Sequence, residues 1–127
     1  MKVILVVEDV KAIREALVIK LKKIGYDVFE ALDGKEGLEI ALKERPELVI
    51  TDLIMPVMDG FELIHELRND GRWGKKVDIM ILTNLSPNSE IYNKIADPKP
   101  LYYMIKKDWT LDELCTKVEE VLGFPGN

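Results

Sequence analysis

Four short stretches of the chain combine residue types that could do chemistry together: Glu8-Asp9, Asp52, Thr83-Asn84 and Lys106-Lys107. Each follows directly on an apolar run, so each places charge or a hydroxyl where the chain is leaving a buried segment. A charge in such a place needs a compensating partner. Three carboxylates drawn together cannot all stay ionised without a cation, because like charges disfavour one another's ionised forms. A hard divalent ion with oxygen ligands solves this, and Mg²⁺ suits a shallow, partly hydrated site. Lys106 would add a fixed positive charge, and a metal beside a lysine attracts a tetrahedral oxyanion such as phosphate. A carboxylate held there could act as a nucleophile toward a phosphoryl group. Metal, lysine and hydroxyl would neutralise and orient the transferring oxygens. The plainer reading, that acids at loop starts only cap helices, suits Asp33 and Asp59 better than Glu8, Asp9 and Asp52.

Convergence of these residues requires elements that end side by side. Apolar runs of strand length alternate with helix-period segments. Strands are expected at Lys2–Val7, Tyr26–Ala31, Leu48–Thr51, Val77–Thr83 and Leu101–Ile105. Between and after them come helices. Lys11–Ile24 carries a stripe of Ile13, Ala16, Leu17, Leu21 and Ile24 and stops at Gly25. The second helix opens at Asp33-Gly34, carries Leu38, Ala41 and Leu42, and stops before Pro46. Gly60–Asn69 turns Leu63, Ile64 and Leu67 inward. Asn88–Ala96 has a short stripe of Ile91 and Ile95, ended by Asp97-Pro98-Lys99-Pro100. Thr110 opens the last helix with Glu113 three residues on, a capping box, followed by Leu111, Leu114, Cys115, Val118, Val121 and Leu122 on one face.

Five β-α units this short form right-handed crossovers onto one parallel sheet. Helices on both faces make a three-layer α/β sandwich. Ligands of such folds bind at the carboxyl ends of the strands, where the strand order reverses, which is where the four stretches lie.

At 127 residues the chain is one domain's worth, with 47% hydrophobic and 32% charged residues, a globular composition. A net charge of −5 argues against direct nucleic-acid binding and against anionic lipid. The nearest thing to a basic cluster, Arg68, Arg72, Lys75 and Lys76, is diluted by Asp70 and Asp78. A single cysteine, Cys115, excludes an intramolecular disulfide and sits on a core stripe. No apolar run approaches membrane-span length, and the N-terminal run lacks a signal-peptide core, so a cytoplasmic location is expected. His65 is expected on the solvent side of its helix, and Trp73 in a loop. In the pair Tyr102-Tyr103, one residue should face each side of the sheet.

The segment Thr51-Asp52-Leu53-Ile54-Met55-Pro56-Val57-Met58-Asp59-Gly60 resembles the phosphoacceptor signature of response-regulator receiver domains, the CheY-like family. The resemblance runs from Val3 to Leu122. The acidic pair, Asp-x-x-Met-Pro-x-x-Asp-Gly, a threonine, an aromatic and a lysine come in the family's order and at closely similar spacings. It implies a doubly wound (βα)5, flavodoxin-like fold of strand order 2-1-3-4-5, with residues 1–122 as the receiver and 123–127 as a tail or the start of a linker. It further implies that Asp52 takes a phosphoryl group from a sensor histidine kinase or phosphotransfer protein. Mg²⁺ would be held by Glu8, Asp9, Asp52 and the backbone carbonyl of Ile54. Thr83 and Tyr103 would be the switch residues and Lys106 the phosphate contact. The output surface would be the fourth helix, fifth strand and fifth helix, which could dock an unknown downstream protein or a second copy. The only enzyme-like chemistry implied is self-catalysed phosphotransfer and slow autodephosphorylation.

Four positions depart from the family pattern. Lys107 stands where most receivers have a proline in a cis bond, and a trans bond is expected there. Asn84 replaces a small residue and should narrow access to Asp52. Ile54 and Leu85, apolar where the family is often polar, should hinder water attack and lengthen the life of an acyl phosphate. Of the rival readings, a nucleotide-binding module needs a glycine-rich cradle after the first strand, where Glu8-Asp9-Val10 stands. An aspartyl phosphohydrolase would carry a second acid where Ile54 is. A non-phosphorylated pseudo-receiver, acting as an interaction module, is the alternative.

Overall fold

A computed structural model describes residues 2–95 and 101–125. Ala96 and the Asp97-Pro98-Lys99-Pro100 stop lie outside them. The strands are β1 (Val3–Val7), β2 (Asp27–Ala31), β3 (Leu48–Thr51), β4 (Asp78–Thr83) and β5 (Leu101–Ile105). All pair in parallel, in the order β2-β1-β3-β4-β5. The helices are α1 (Lys11–Ile24), α2 (Gly34–Glu44), α3 (Gly60–Arg68), α4 (Gly71–Lys76), α5 (Ser89–Ile95) and α6 (Leu111–Leu122), with a 3₁₀ turn over Lys106–Asp108. The fold is therefore the expected three-layer sandwich with one addition. Short α4, which includes Trp73, occupies a stretch expected to be a loop. The anticipated output face is accordingly α5, β5 and α6.

Alternation along the strands explains the two cores. Ile4, Val6, Leu48, Ile50, Met80, Leu82 and Met104 face α1 and α6. Leu5, Val7, Val49, Ile79 and Ile81 face α2, α3 and α5. Tyr102 packs against the first group and Tyr103 against the second, as a period of two demands.

Local signals set the helix ends. Asp33 and Asp59 accept hydrogen bonds from the Glu36 and Glu62 amides, and Asn88 caps α5 through the Ile91 amide. Thr110 and Glu113 form the capping box. Gly25, at φ 121°, ends α1 in a conformation that side chains disfavour.

Two helix faces differ from expectation. The buried face of α1 is Arg14, Leu17, Val18 and Leu21, whereas Ile13 and Ala16 are exposed. Arg14 can turn inward because its guanidinium finds partners there. On α2, Gly34, Gly37 and Ala41 face inward and Leu42 is exposed, since a close approach to β1 and the loop before α3 leaves room only for small residues.

Candidate functional site

β1 and β3 end side by side, in register at Val7 and Thr51, so the residues after them, Glu8 and Asp52, emerge as neighbours. Both are buried. Asp9 is exposed beside them. One carboxylate oxygen from each of Glu8, Asp9 and Asp52 lies within 4.8 Å of the others. Lys106, at the end of β5, reaches across β4. Its Nζ lies 2.6 Å from Glu8 Oε1 and 2.7 Å from Asp52 Oδ2.

The remaining oxygens of the two buried carboxylates are held by backbone. Asp52 Oδ1 accepts from the Leu53 amide at 2.6 Å and the Ile54 amide at 3.3 Å. Glu8 Oε2 accepts from the Val10 amide at 3.1 Å. Gly60 permits this loop to close on itself, because a Cβ there would sit 2.1 Å from the Asp52 carbonyl oxygen.

Electrostatics follow from burial. Desolvation raises the Glu8 carboxyl above its usual range, opposed by the Lys106 and Val10 hydrogen bonds. For Lys106, burial works against the charged form. The hydrogen bonds and charges of Asp52 and Glu8 outweigh it and raise its pKa. Three carboxylates against one ammonium leave a formal charge of −2, which a divalent cation cancels. Octahedral Mg²⁺ at about 2.1 Å spaces its oxygens about 3–4 Å apart. Three carboxylate oxygens within 4.8 Å of one another are hard donors of the kind this ion takes, so the residues fit it by their chemistry.

The profile of the response regulator receiver domain matches residues 4–119. The chain belongs to this family. Response regulator MprA of Mycolicibacterium vanbaalenii is 34% identical over 119 residues, 94% of this chain and 49% of that protein. Probable transcriptional regulator ycf27 of Porphyridium aerugineum is 45% identical over 87 residues, 68% of this chain and 35% of that protein. The receiver thus spans about a third to a half of the length of these curated relatives. Among solved structures, the Vibrio cholerae chemotaxis protein CheY4 superposes with a TM-score of 0.84 at 30% identity, covering 96% of this chain and 99% of that one. Response regulator TrrA of Thermotoga maritima, in complex with Mg²⁺-BeF, does so at 0.79 and 34%, covering 96% and 100%. The receiver is a signalling domain of two-component systems.

Of the other expected positions of the receiver, Ile54 bonds to Asp52 through its amide, while Thr83 and Tyr103 make their hydrogen bonds to Leu85. Thr83, buried at the end of β4, accepts the Leu85 amide at 3.4 Å through Oγ1. Tyr103 is half-buried, and its hydroxyl donates to the Leu85 carbonyl at 2.8 Å. Burial, with the nearby Tyr92 and Asp52, pushes that phenol's pKa up. Leu85 therefore ties Thr83 to Tyr103. Ile54 is 58% exposed and Asn84 is exposed, while Leu85 is half-buried against the second core. Lys106-Lys107 is a trans bond and opens the 3₁₀ turn.

Arg14 was not among the residues expected here. Its guanidinium donates to the Glu8 carbonyl at 2.9 Å and to Glu30 Oε1 at 3.0 Å, so it steadies the loop that carries the acidic pair. The signal was present in the spacing, since Arg14, Leu17 and Leu21 lie at i, i+3 and i+7 on one helix face.

Proposed function

We propose that this receiver is phosphorylated on Asp52 by a histidine kinase or phosphotransfer protein. The observation that carries this reading is the buried Asp52 carboxylate, held by two backbone amides and Lys106, with Glu8 and Asp9 alongside. An Asp52 oxygen attacks the phosphorus of the donor phosphohistidine. A P–O bond forms, the P–N bond breaks, and the imidazole leaves with the electron pair and takes up a proton. Lys106 shifts from Asp52 Oδ2 to an oxygen of the incoming group, and the Leu53 and Ile54 amides keep the carboxylate aimed. Glu8, Asp9, Asp52 and the Ile54 carbonyl would hold Mg²⁺, which when bound neutralises the transferring oxygens. TrrA, complexed with Mg²⁺ and a beryllofluoride, supports that assignment by similarity.

Switching follows from the Leu85 link. A Thr83 hydroxyl that turns to the phosphoryl group lets go of the Leu85 amide, and Leu85 in turn anchors Tyr103. The loop and the α5–β5–α6 face then change together, which makes that face the surface for a downstream protein or a second copy. The Ile54 and Leu85 side chains offer water no hydrogen bond, and exposed Asn84 is bulkier than the small residue of the family pattern, so the acyl phosphate is long-lived and small donors react slowly. Residues 1–122 constitute the receiver and residues 123–127 a tail or linker start. Its location is cytoplasmic.

Incubation with Mg²⁺ and a phosphodonor, read by intact mass, tests the reading, with Asp52→Asn as control. One added phosphate on the wild type alone is expected. No gain from small donors or from a histidine kinase makes the chain a pseudo-receiver. Label loss as fast as from a variant with Ile54→Asn and Leu85→Glu would refute the long-lived intermediate.

A further inference from the structure

The opposite end of the sheet carries a second concavity. A groove of about 620 Å³ runs between the starts of β1, β3 and β4, short α4 and the end of α6. Its walls are apolar, with Pro46, Val77, Val121 and Leu122, and its cations are Arg45, Arg72 and Lys76 together with Lys2. Lys2 is engaged, donating to the Leu122 carbonyl. Arg45, Arg72 and Lys76 are exposed and pair with no carboxylate among the described residues. In a chain of net charge −5, four cations against two acids around one groove are a local reversal of sign.

The groove is built rather than incidental. Arg68 donates to the Gly74 and Val77 carbonyls at 2.9 and 2.6 Å, which pins α4 to the start of β4. The Trp73 indole donates to the Pro46 carbonyl at 3.1 Å. Arg45 ends α2 at φ 46°, and its guanidinium lies 5.8 Å from the centroid of the Trp73 ring. The two acids in the lining offset only part of this charge. Glu47 accepts from the Val3 amide, and Asp78 is half-buried beside Arg68.

We propose that this groove binds an acidic peptide segment of a partner protein, one that interleaves carboxylates with aliphatic side chains. Carboxylates meet Arg72, Lys76 and the open side of Arg45, and aliphatic groups meet the apolar walls. A nucleic-acid strand fits less well. Arg45 already covers a face of Trp73 that a base would need for stacking, and the aliphatic walls offer a phosphate backbone nothing to bury. The site lies at the far end of the sheet from Asp52 and does not depend on phosphorylation.

Trp109→Phe leaves Trp73 as the reporter, since the chain has two tryptophans. The full chain carrying this change is titrated, by fluorescence and by calorimetry, with a blocked peptide alternating Glu or Asp with Leu. The controls are its Gln/Asn counterpart, a single-stranded oligonucleotide and inorganic phosphate. A Trp73 emission change and heat from the acidic peptide alone are expected, weakening with salt. R72E/K76E, on exposed positions, should lower affinity about tenfold or more while leaving phosphate incorporation at Asp52 unchanged. Equal binding of the uncharged peptide, equal affinity of R72E/K76E, tighter binding of the oligonucleotide or phosphate, or neither heat nor emission change with the acidic peptide would each overturn the proposal.

Discussion

Replacing Lys106 with methionine isolates the electrostatics of the site. The ammonium is the cation bonded to both Glu8 and Asp52, and the three side chains retain only 13%, 5% and 10% exposure. Removing one partner from a fully buried ion pair costs about 3–5 kcal/mol. The Lys106 side chain keeps 13% exposure, so a loss of about 2–4 kcal/mol is expected without metal. At about 4 °C per kcal/mol for a domain of this size, the midpoint falls by roughly 8–16 °C. Two conditions should close the gap. The native pKa of Glu8 lies above its ordinary value, so its contribution is fully present below that value and is lost as pH rises through the native pKa. Without the Lys106 hydrogen bond that native pKa climbs further, so the variant recovers toward wild type as pH falls from 7 to about 4.5, the ordinary carboxylate range. Millimolar Mg²⁺ should also rescue it, because a ligand that binds only the folded state stabilises it by mass action and the variant lacks the competing ammonium. Thermal unfolding followed by circular dichroism, in chelator and in Mg²⁺, measures both. A gap below about 1 kcal/mol in chelator at pH 7, or one unmoved by pH and Mg²⁺, would refute the reasoning.

Other outcomes can be checked separately. Thr110→Ala removes one half of the capping box and should cost about 1 kcal/mol in urea unfolding, with Thr110→Ser near neutral. The Cys115 thiol is buried, and burial pushes its pKa up to about 11. Labelling with a disulfide reagent at pH 8 should therefore be slow until denaturant is added. Val57 sits at φ 68° in a three-residue turn closed by the Met58 amide on the Pro56 carbonyl at 2.8 Å, a strained geometry for a β-branched residue. Val57→Gly should raise stability by about 0.5–1 kcal/mol, the strain relieved less the chain entropy glycine loses on folding. A destabilised variant would contradict that.

Strand and helix order, the capping box and the acids at strand ends were legible in the sequence. They rest on interactions within a few residues, or on alternation that a sheet buried on both faces must show. The family's motif order then named Asp52, Thr83, Tyr103 and Lys106. Short α4 was not legible, since Gly71-Arg72-Trp73-Gly74-Lys75-Lys76 has no apolar stripe and is held by Arg68 and by Pro46 from 27 residues away. The face of α1 was misjudged because Arg14 looks like a solvent residue until Glu30 and the Glu8 carbonyl are brought to it. Lys106 bridges to Asp52 across 54 residues, and the groove at the other end of the sheet gathers five elements. Sequence alone determined which residues leave each strand. Tertiary structure decided which of them meet, because those contacts form only when the parallel sheet sets distant strand ends side by side.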